Sequence, residues 1–250
     1  MTWLASLIWP FIRISAMFSS APILSARSVP VRIRILLALF IAWILLPVIP
    51  PPPAVDLLSM KAVVISVYQV FIGLAMGFIL QMVFAAFVIA GQGIATAMGL
   101  GFASIVDPQN GVQVPVVSQS LLIMVTLIFL ALNGHLMLIK VLADSFKQLP
   151  VGFIVPSTDG LWHLVNWGGT MFAGGVLIAL PAVAALLLVN IAFGVTARAA
   201  PQLNIFAVGF PVMLMVGIIF LILILPTITE HLSSLLNQAF ALMQRFIVSA

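Results

Sequence analysis

Apolar residues fill the chain in long blocks, broken by prolines, glycines and isolated charges. Lipid offers no partner to an unpaired backbone group, so a chain crosses a bilayer as helices of about 20 apolar residues. Six blocks approach that length: residues 3–18, 33–49, 62–90, 116–139, 165–195 and 205–228. The stretch 230–248 differs. Its Leu232, Leu235, Leu236, Ala239, Met243, Phe246 and Ile247 recur at helical i, i+3/i+4 spacing with polar residues between them. That pattern predicts an amphipathic helix over 229–248, lying at the membrane interface or against a partner. The predicted fold is all-α: one membrane domain over residues 1–250, with about six hydrophobic helices and an amphipathic one at the C-terminal end.

Some blocks are poor spans alone. Residues 35–46 supply 12 uninterrupted apolar positions, about 18 Å of helix, before Pro47 and the prolines at 50–53. Asn133-Gly134-His135 interrupts the fourth block, and Pro181 the fifth. Kinked helices in lipid and helices shielded by protein both answer this pattern.

Composition changes the picture by exclusion. The chain is 64% hydrophobic and 6% charged, with nine Lys+Arg and five Asp+Glu, and its mean hydropathy is +1.35. So few charges cannot clothe a water-facing surface, which excludes a soluble domain and a disordered tail. The basic surplus is too dispersed to form a nucleic-acid-binding face. Without cysteine there is no disulfide, thiolate metal site or Cys nucleophile. His135, His163 and His231 lie far apart, HExxH, GxSxG and Walker patterns are missing, and Gly99-Leu100-Gly101-Phe102-Ala103-Ser104 has no βαβ setting. No metal, cofactor or enzymatic activity is expected.

Charge placement gives an orientation. Arg13 falls inside the first block and no basic region precedes it, so that block is expected to be retained. Arg27, Arg32 and Arg34 follow with no acid, marking a cytoplasmic loop. Counting six crossings puts Arg198 on the same side and both termini outside. Arg198 reads as a cytoplasmic-side anchor, since no acid pairs with it. Asp107, Asp144 and Asp159 sit in loops, which weakens an ion-coupled transporter reading.

Two motifs stand out. Stepping by four from Gln69 gives Gly73, Gly77, Gln81, Ala85, Ile89, Gly93, Ala97 and Gly101, all small or amide except Ile89. Such a row lets helix backbones approach closely. Each step of four overshoots a turn by about 40°, so the row winds around its helix. Several neighbours, or a helical assembly, can follow it where one straight partner cannot; ordinary internal packing is the plainer reading. The second motif is Gly101, Phe102, Ala103, Ser104, Ile105, Val106, Asp107, Pro108, Gln109, Asn110 and Gly111, within a 91–115 loop region. Asp-Pro then Asn-Gly is turn chemistry. The segment is a connecting loop, or a re-entrant or pore-occluding one shielded by protein.

Taken together, the chain resembles the FliR/SctT family of type III secretion export gates along essentially its whole length. The residues that carry this are Val29-Pro30-Val31-Arg32-Ile33-Arg34, Gly91-Gln92-Gly93 leading to Asp107-Pro108-Gln109-Asn110-Gly111, Gly134-His135 with Ser145-Phe146 and Pro150, and Arg198-Ala199-Ala200-Pro201-Gln202-Leu203-Asn204-Ile205-Phe206 running into Gly209-Phe210-Pro211. A common family variant has Gly-Glu where this chain has Ala90-Gly91 and Gln92, so no acid acts there. The resemblance implies a subunit of a closed, helical export gate in the bacterial inner membrane and flagellar basal body, with much of the assembly raised out of the bilayer. It implies FliP-like and FliQ-like partners, an FlhB-like protein at the entrance, unfolded exported proteins as cargo, and a plug made approximately of residues 101–111. The gate itself would perform no chemistry. A virulence-system gate is the nearest alternative; a secondary transporter or channel would call for intramembrane acids and an internal repeat. Reporter fusions after Arg34 and after Gln202 should both read cytoplasm, and a C-terminal one periplasm. Basic loops on opposite sides would overturn the count of six crossings.

Overall fold

A computed structural model describes residues 2–26, 29–56, 58–101, 104–106, 113–152, 157–199 and 205–248. Among them are seven helices: α1 (Thr2–Ser20), α2 (Val31–Leu45), α3 (Met60–Ala97), α4 (Val116–Ala131), α5 (Gly134–Gln148), α6 (Thr158–Ala199) and α7 (Ile205–Val248). Two three-residue strands, β1 (Ser104–Val106) and β2 (Gln113–Pro115), pair antiparallel between α3 and α4. They form a hairpin, not a layer, and the fold is all-α.

Helix ends follow local chemistry. Pro30 and Pro115 stand immediately before α2 and α4, where φ is already helical and no amide is needed. The Ser59 hydroxyl accepts from the Ala62 amide at 3.2 Å and caps α3. Asn133 takes a left-handed conformation, φ 56°, which asparagine tolerates. It splits the expected fourth block into α4 and α5, bent by 65°. Gly134 is needed there because an added Cβ would run into the Phe129 ring.

The count of six spans is not that of the helices. Among the described residues three helices, α3, α6 and the Val208–Val248 part of α7, are long and apolar enough to cross a membrane, or four if the bent α4–α5 pair is one broken span. The predicted boundary near 229 is also absent: α7 runs on through Pro211 and Pro226. A proline removes one bond, but apolar helical spacing resumes at once beyond Pro226. At 42 and 44 residues, α6 and α7 extend about 63 and 66 Å, twice a hydrocarbon core of about 30 Å.

Contacts set the direction of each helix. Arg13 and Ser20 of α1 meet Gly73 and Gly77 of α3 in that order. Ile79 and Ala86 of α3 meet Trp167 and Gly175 of α6. Thus α1, α3 and α6 run one way. Ser118 and Phe129 of α4 meet Val88 and Phe84, and Gly217 and Phe246 of α7 meet Met98 and Phe71, so α4 and α7 run back. Within its most apolar stretch α3 is 67% buried, against 22% for α6 and for α7. α3 is the axis, wrapped by α1, α4, α6 and α7. The Trp167 indole donates to the Ile79 carbonyl at 3.2 Å, fastening α6 to it. The residues expected on one face of 229–248 are all 7% exposed or less. That face closes the chain's own core, Phe246 meeting Phe71 at 6.3 Å between ring centroids, rather than resting on a membrane interface.

One buried cation ties three helices together. Arg13, fully buried, donates from Nε to Gln69 Oε1 (2.8 Å), from Nη1 to the Ser145 carbonyl and Oγ (3.1 and 3.0 Å), and from Nη2 to the Leu149 carbonyl (2.9 Å). Its guanidinium stands 4.3 Å from the centre of the Phe146 ring. Ser145 and Leu149 close α5, so the cation meets the negative end of that helix's dipole, and all its acceptors are neutral groups. Arg13→Leu should strand Gln69 Oε1 and the Leu149 carbonyl, at about 1–3 kcal/mol each. The check is thermal unfolding of the purified protein in detergent: a fall of about 5–10 °C is expected, and Arg13→Lys, with no planar fork, should recover only part of it.

Candidate functional site: the seam of α3 and the loop beyond it

The small-residue row is occupied from within the chain. An added Cβ at Gly73 would strike the Arg13 carbonyl and lie 2.8 Å from Ala16 Cβ; at Gly77 it would strike Ser20 Oγ and lie 2.6 Å from the Met17 carbonyl. The two backbones touch, and Ser20 Oγ donates across to the Leu74 carbonyl at 3.2 Å. Gln69, one step earlier, holds Arg13. From Gly77 to Gly93 the row turns by four steps of about 40°, to the opposite side of α3. There Gly93 looks onto Ala179 and Val183 of α6 at 3.6 and 4.0 Å. Ile89, the one large member, is met by Gly175 of α6, whose own added Cβ would lie 2.7 Å from the Ala86 carbonyl and 3.0 Å from Ile89 Cβ. Gln81, Ala85 and Ala97 are half-buried along the way. Two neighbours, α1 then α6, share the winding row. Gly93, Gly175 and Ala179 leave a shallow apolar groove of about 230 Å³ between α3 and α6.

Beyond the seam α3 ends in a Schellman motif. Gly99 takes φ +79°, its amide donates to the Thr96 carbonyl at 3.1 Å, and the Leu100 amide donates to the Ala95 carbonyl at 2.8 Å. The turn is therefore made at Gly99; at Gly101, the first residue of the predicted plug, an added Cβ would meet only Thr96, at 3.9 Å. Residues 91–97, expected in the loop region, continue α3 because nothing before Gly99 breaks it. Ser104, Ile105 and Val106 form β1, opposite Pro115, Val114 and Gln113. Phe102, Ala103, Asp107, Pro108, Gln109, Asn110 and Gly111 lie outside the described residues. A cavity of about 330 Å³ separates the end of α3 from Asn190 and Phe193 of α6 and Phe210 and Met213 of α7.

The predicted anchors are apart. Arg34, half-buried, donates to the Ala26 carbonyl at 3.2 Å just after α1, and Arg32 is exposed at the start of α2. Arg27 lies outside the described residues. Arg198 is exposed in the last turn of α6, where a cation suits the helix dipole. α1 ends beside Gly77, whereas α6 continues past the end of α3. Sixteen residues separate Gly77 from Gly93, which faces Ala179, and nineteen more lead to Arg198. The Ser20 end of α1 and Arg198 therefore differ in height by about 50 Å, more than one bilayer core. They do not share a level as six crossings would have them. Arg13 is the functional-looking residue that spacing does not single out. Its signal was a lone cation inside an apolar run, with Gln69, Ser145 and Phe146 scattered along the chain.

Seam geometry sets a contrast. Gly77→Ala should destabilise by about 1–3 kcal/mol through overpacking on α1. Gly93→Ala, with 3.6 Å of room, should be neutral or gain up to about 1 kcal/mol of helix propensity. Thermal unfolding of the two variants side by side checks this; equal losses would mean that the two halves of the row are packed alike.

Comparison with known proteins completes the picture. The family profile described as "Bacterial export proteins, family 1" matches residues 4–239. The chain is 39% identical over 247 residues to the flagellar biosynthetic protein FliR of Escherichia coli K12, covering 99% of this chain and 94% of that protein. It is 38% identical to the protein of the same name from Pectobacterium carotovorum, over 96% and 92% of the two chains. Against that of Bacillus subtilis it is 34% identical, over 87% and 85%. With long apolar helices, a membrane location and a match along nearly its full length, the chain belongs to the bacterial export proteins, family 1.

Proposed function

We propose that this chain is a membrane subunit of the flagellar type III protein export gate, helping to form the closed pore through which unfolded flagellar proteins leave the cell. The observation that carries this is the similarity from residue 4 to 239 to bacterial export proteins, together with relatives named flagellar biosynthetic protein FliR at up to 39% identity. Those flagellar names favour this reading over a virulence-system gate. The partners are FliP-like and FliQ-like subunits and an FlhB-like subunit, and the setting is the bacterial inner membrane at the flagellar basal body. The work is conduction and closure, with no catalytic step and no cofactor.

Structural features support the reading. α6 and α7 carry exposed Phe172, Leu177, Leu188, Ile191, Ile218, Ile222 and Leu223, which call for lipid or apolar neighbours. Helices twice as long as a bilayer core suit an assembly raised from the membrane. Residues 101–111 are the proposed plug: β1, within it, pairs with β2, and Gly99 ends α3 just before it. Deleting residues 102–106 removes β1 and with it the hairpin's pairing. In cells expressing the full gate, that deletion should make the membrane leak a small solute or ion in the absence of cargo, with FliP-like and FliQ-like subunits still co-purifying. A tight, export-competent deletion would place the closure elsewhere; loss of co-purification would make the hairpin an assembly element.

A further inference from the structure

We propose that the cleft between the first turns of α6 and the last turns of α7 binds the phosphate of an anionic lipid headgroup. The cleft, about 280 Å³, is lined by His163, Asn166 and Thr170 from α6 and by Gln238 and Arg245 from α7. In a chain that is 6% charged, five hydrogen-bonding side chains converging on one opening are an exception. No acid lines it.

These groups are not occupied with one another. Thr96, Thr126 and Thr196 each return their hydroxyl to the carbonyl four residues back, at 2.8–2.9 Å, the usual course for threonine in a helix. Among the described residues Thr170 does not, and Arg245, His163 and Asn166 make no hydrogen bond there either. Gln238 bonds only Ser234 one turn back, at 3.2 Å. A guanidinium fork with amide, hydroxyl and imidazole donors around it matches the oxygens of a phosphate.

The surroundings identify the source. Leu235 packs on Gly174, so Gln238 and Arg245 lie beside residues 163–170. Exposed apolar side chains are interleaved with that stretch of α6, Leu161, Trp162 and Val165 at its start and Phe172 just beyond it, and tryptophan gathers at membrane interfaces. Donors set in an apolar surface suit a phosphate that brings acyl chains with it, and that phosphate belongs to a lipid headgroup.

The test is native mass spectrometry of the full chain in detergent, titrated with short-chain phosphatidylglycerol, phosphatidylcholine or inorganic phosphate. Phosphatidylglycerol should be retained in preference to phosphatidylcholine. Arg245→Gln should weaken its retention about tenfold, Thr170→Val less, and Arg198→Gln, an exposed cation at the opposite end of α6, not at all. Arg245 is exposed and Thr170 half-buried, and unchanged unfolding temperatures will show both variants folded. Equal retention of the two lipids, or of phosphatidylglycerol by Arg245→Gln, would overturn the proposal. So would inorganic phosphate displacing the lipid at equal concentration, which would make this a site for free anions. In the assembled gate, loss of a partner subunit from Arg245→Gln with lipid retention unchanged would make the cleft a protein interface instead.

Discussion

A cation with no water and no carboxylate must be held by oriented dipoles, or it must not be there. Burying an ion costs several kcal/mol even after relaxation, and Arg13 meets that cost with two carbonyls at the end of α5, a hydroxyl, an amide and an aromatic face. These acceptors come from α3 and α5, while the arginine belongs to α1. Three helices therefore have one mutual arrangement in which every guanidinium nitrogen is bonded. The close approach of α1 to Gly73 and Gly77 follows, because the Arg13 carbonyl sits directly against Gly73.

That node separates two kinds of packing in the molecule. Around α3 the contacts are dense and specific, with backbones touching at Gly73, Gly77, Gly91 and Gly175. Away from it, α2 and the outer parts of α6 and α7 show large apolar side chains to their surroundings. An export subunit needs both. The axis keeps its shape, and the outer helices remain available to lipid and to other subunits. The hairpin after α3 springs from the rigid part and keeps to it, packing on α3 and α4.

Much of this was legible in residue order. The apolar blocks located six of the seven helices; α5 runs on past the block that ends at 139, and its Asp144 was expected in a loop. The face made by Leu232, Ala239, Met243 and Phe246 was readable because a 3.6-residue period survives whatever covers it. The winding row of glycines announced more than one neighbour, since its pitch excludes a single straight partner. What covers a face is not local, and so the periodicity of 229–248 could not tell a membrane interface from the chain's own core. The same holds for Arg13, whose partners lie 56 to 136 positions away. The split at Asn133 was marked by Asn-Gly-His, but its angle depends on Phe129 and Gly134 packing. The short strands escaped notice because Ser104-Ile105-Val106 and Gln113-Val114-Pro115 are too brief for alternation to register. Of the plug, Gly99 proved the turning point because the Schellman bonds form only once α3 is built.

The burial of the last turns of α7 bears on how the polypeptide is made. Leu232, Ala239, Met243, Phe246 and Ile247 complete a core whose other members, Ile72 and Phe71 among them, lie more than 150 residues earlier. At synthesis rates of about 5–20 residues per second, the ribosome exposes α3 for roughly ten seconds or more before its final cover arrives. During that interval a strongly apolar groove stands open beside a helix that the membrane alone does not seal. The nascent chain thus has a built-in need for a temporary occupant, whether lipid, insertion machinery or a neighbouring subunit, until translation supplies the permanent one.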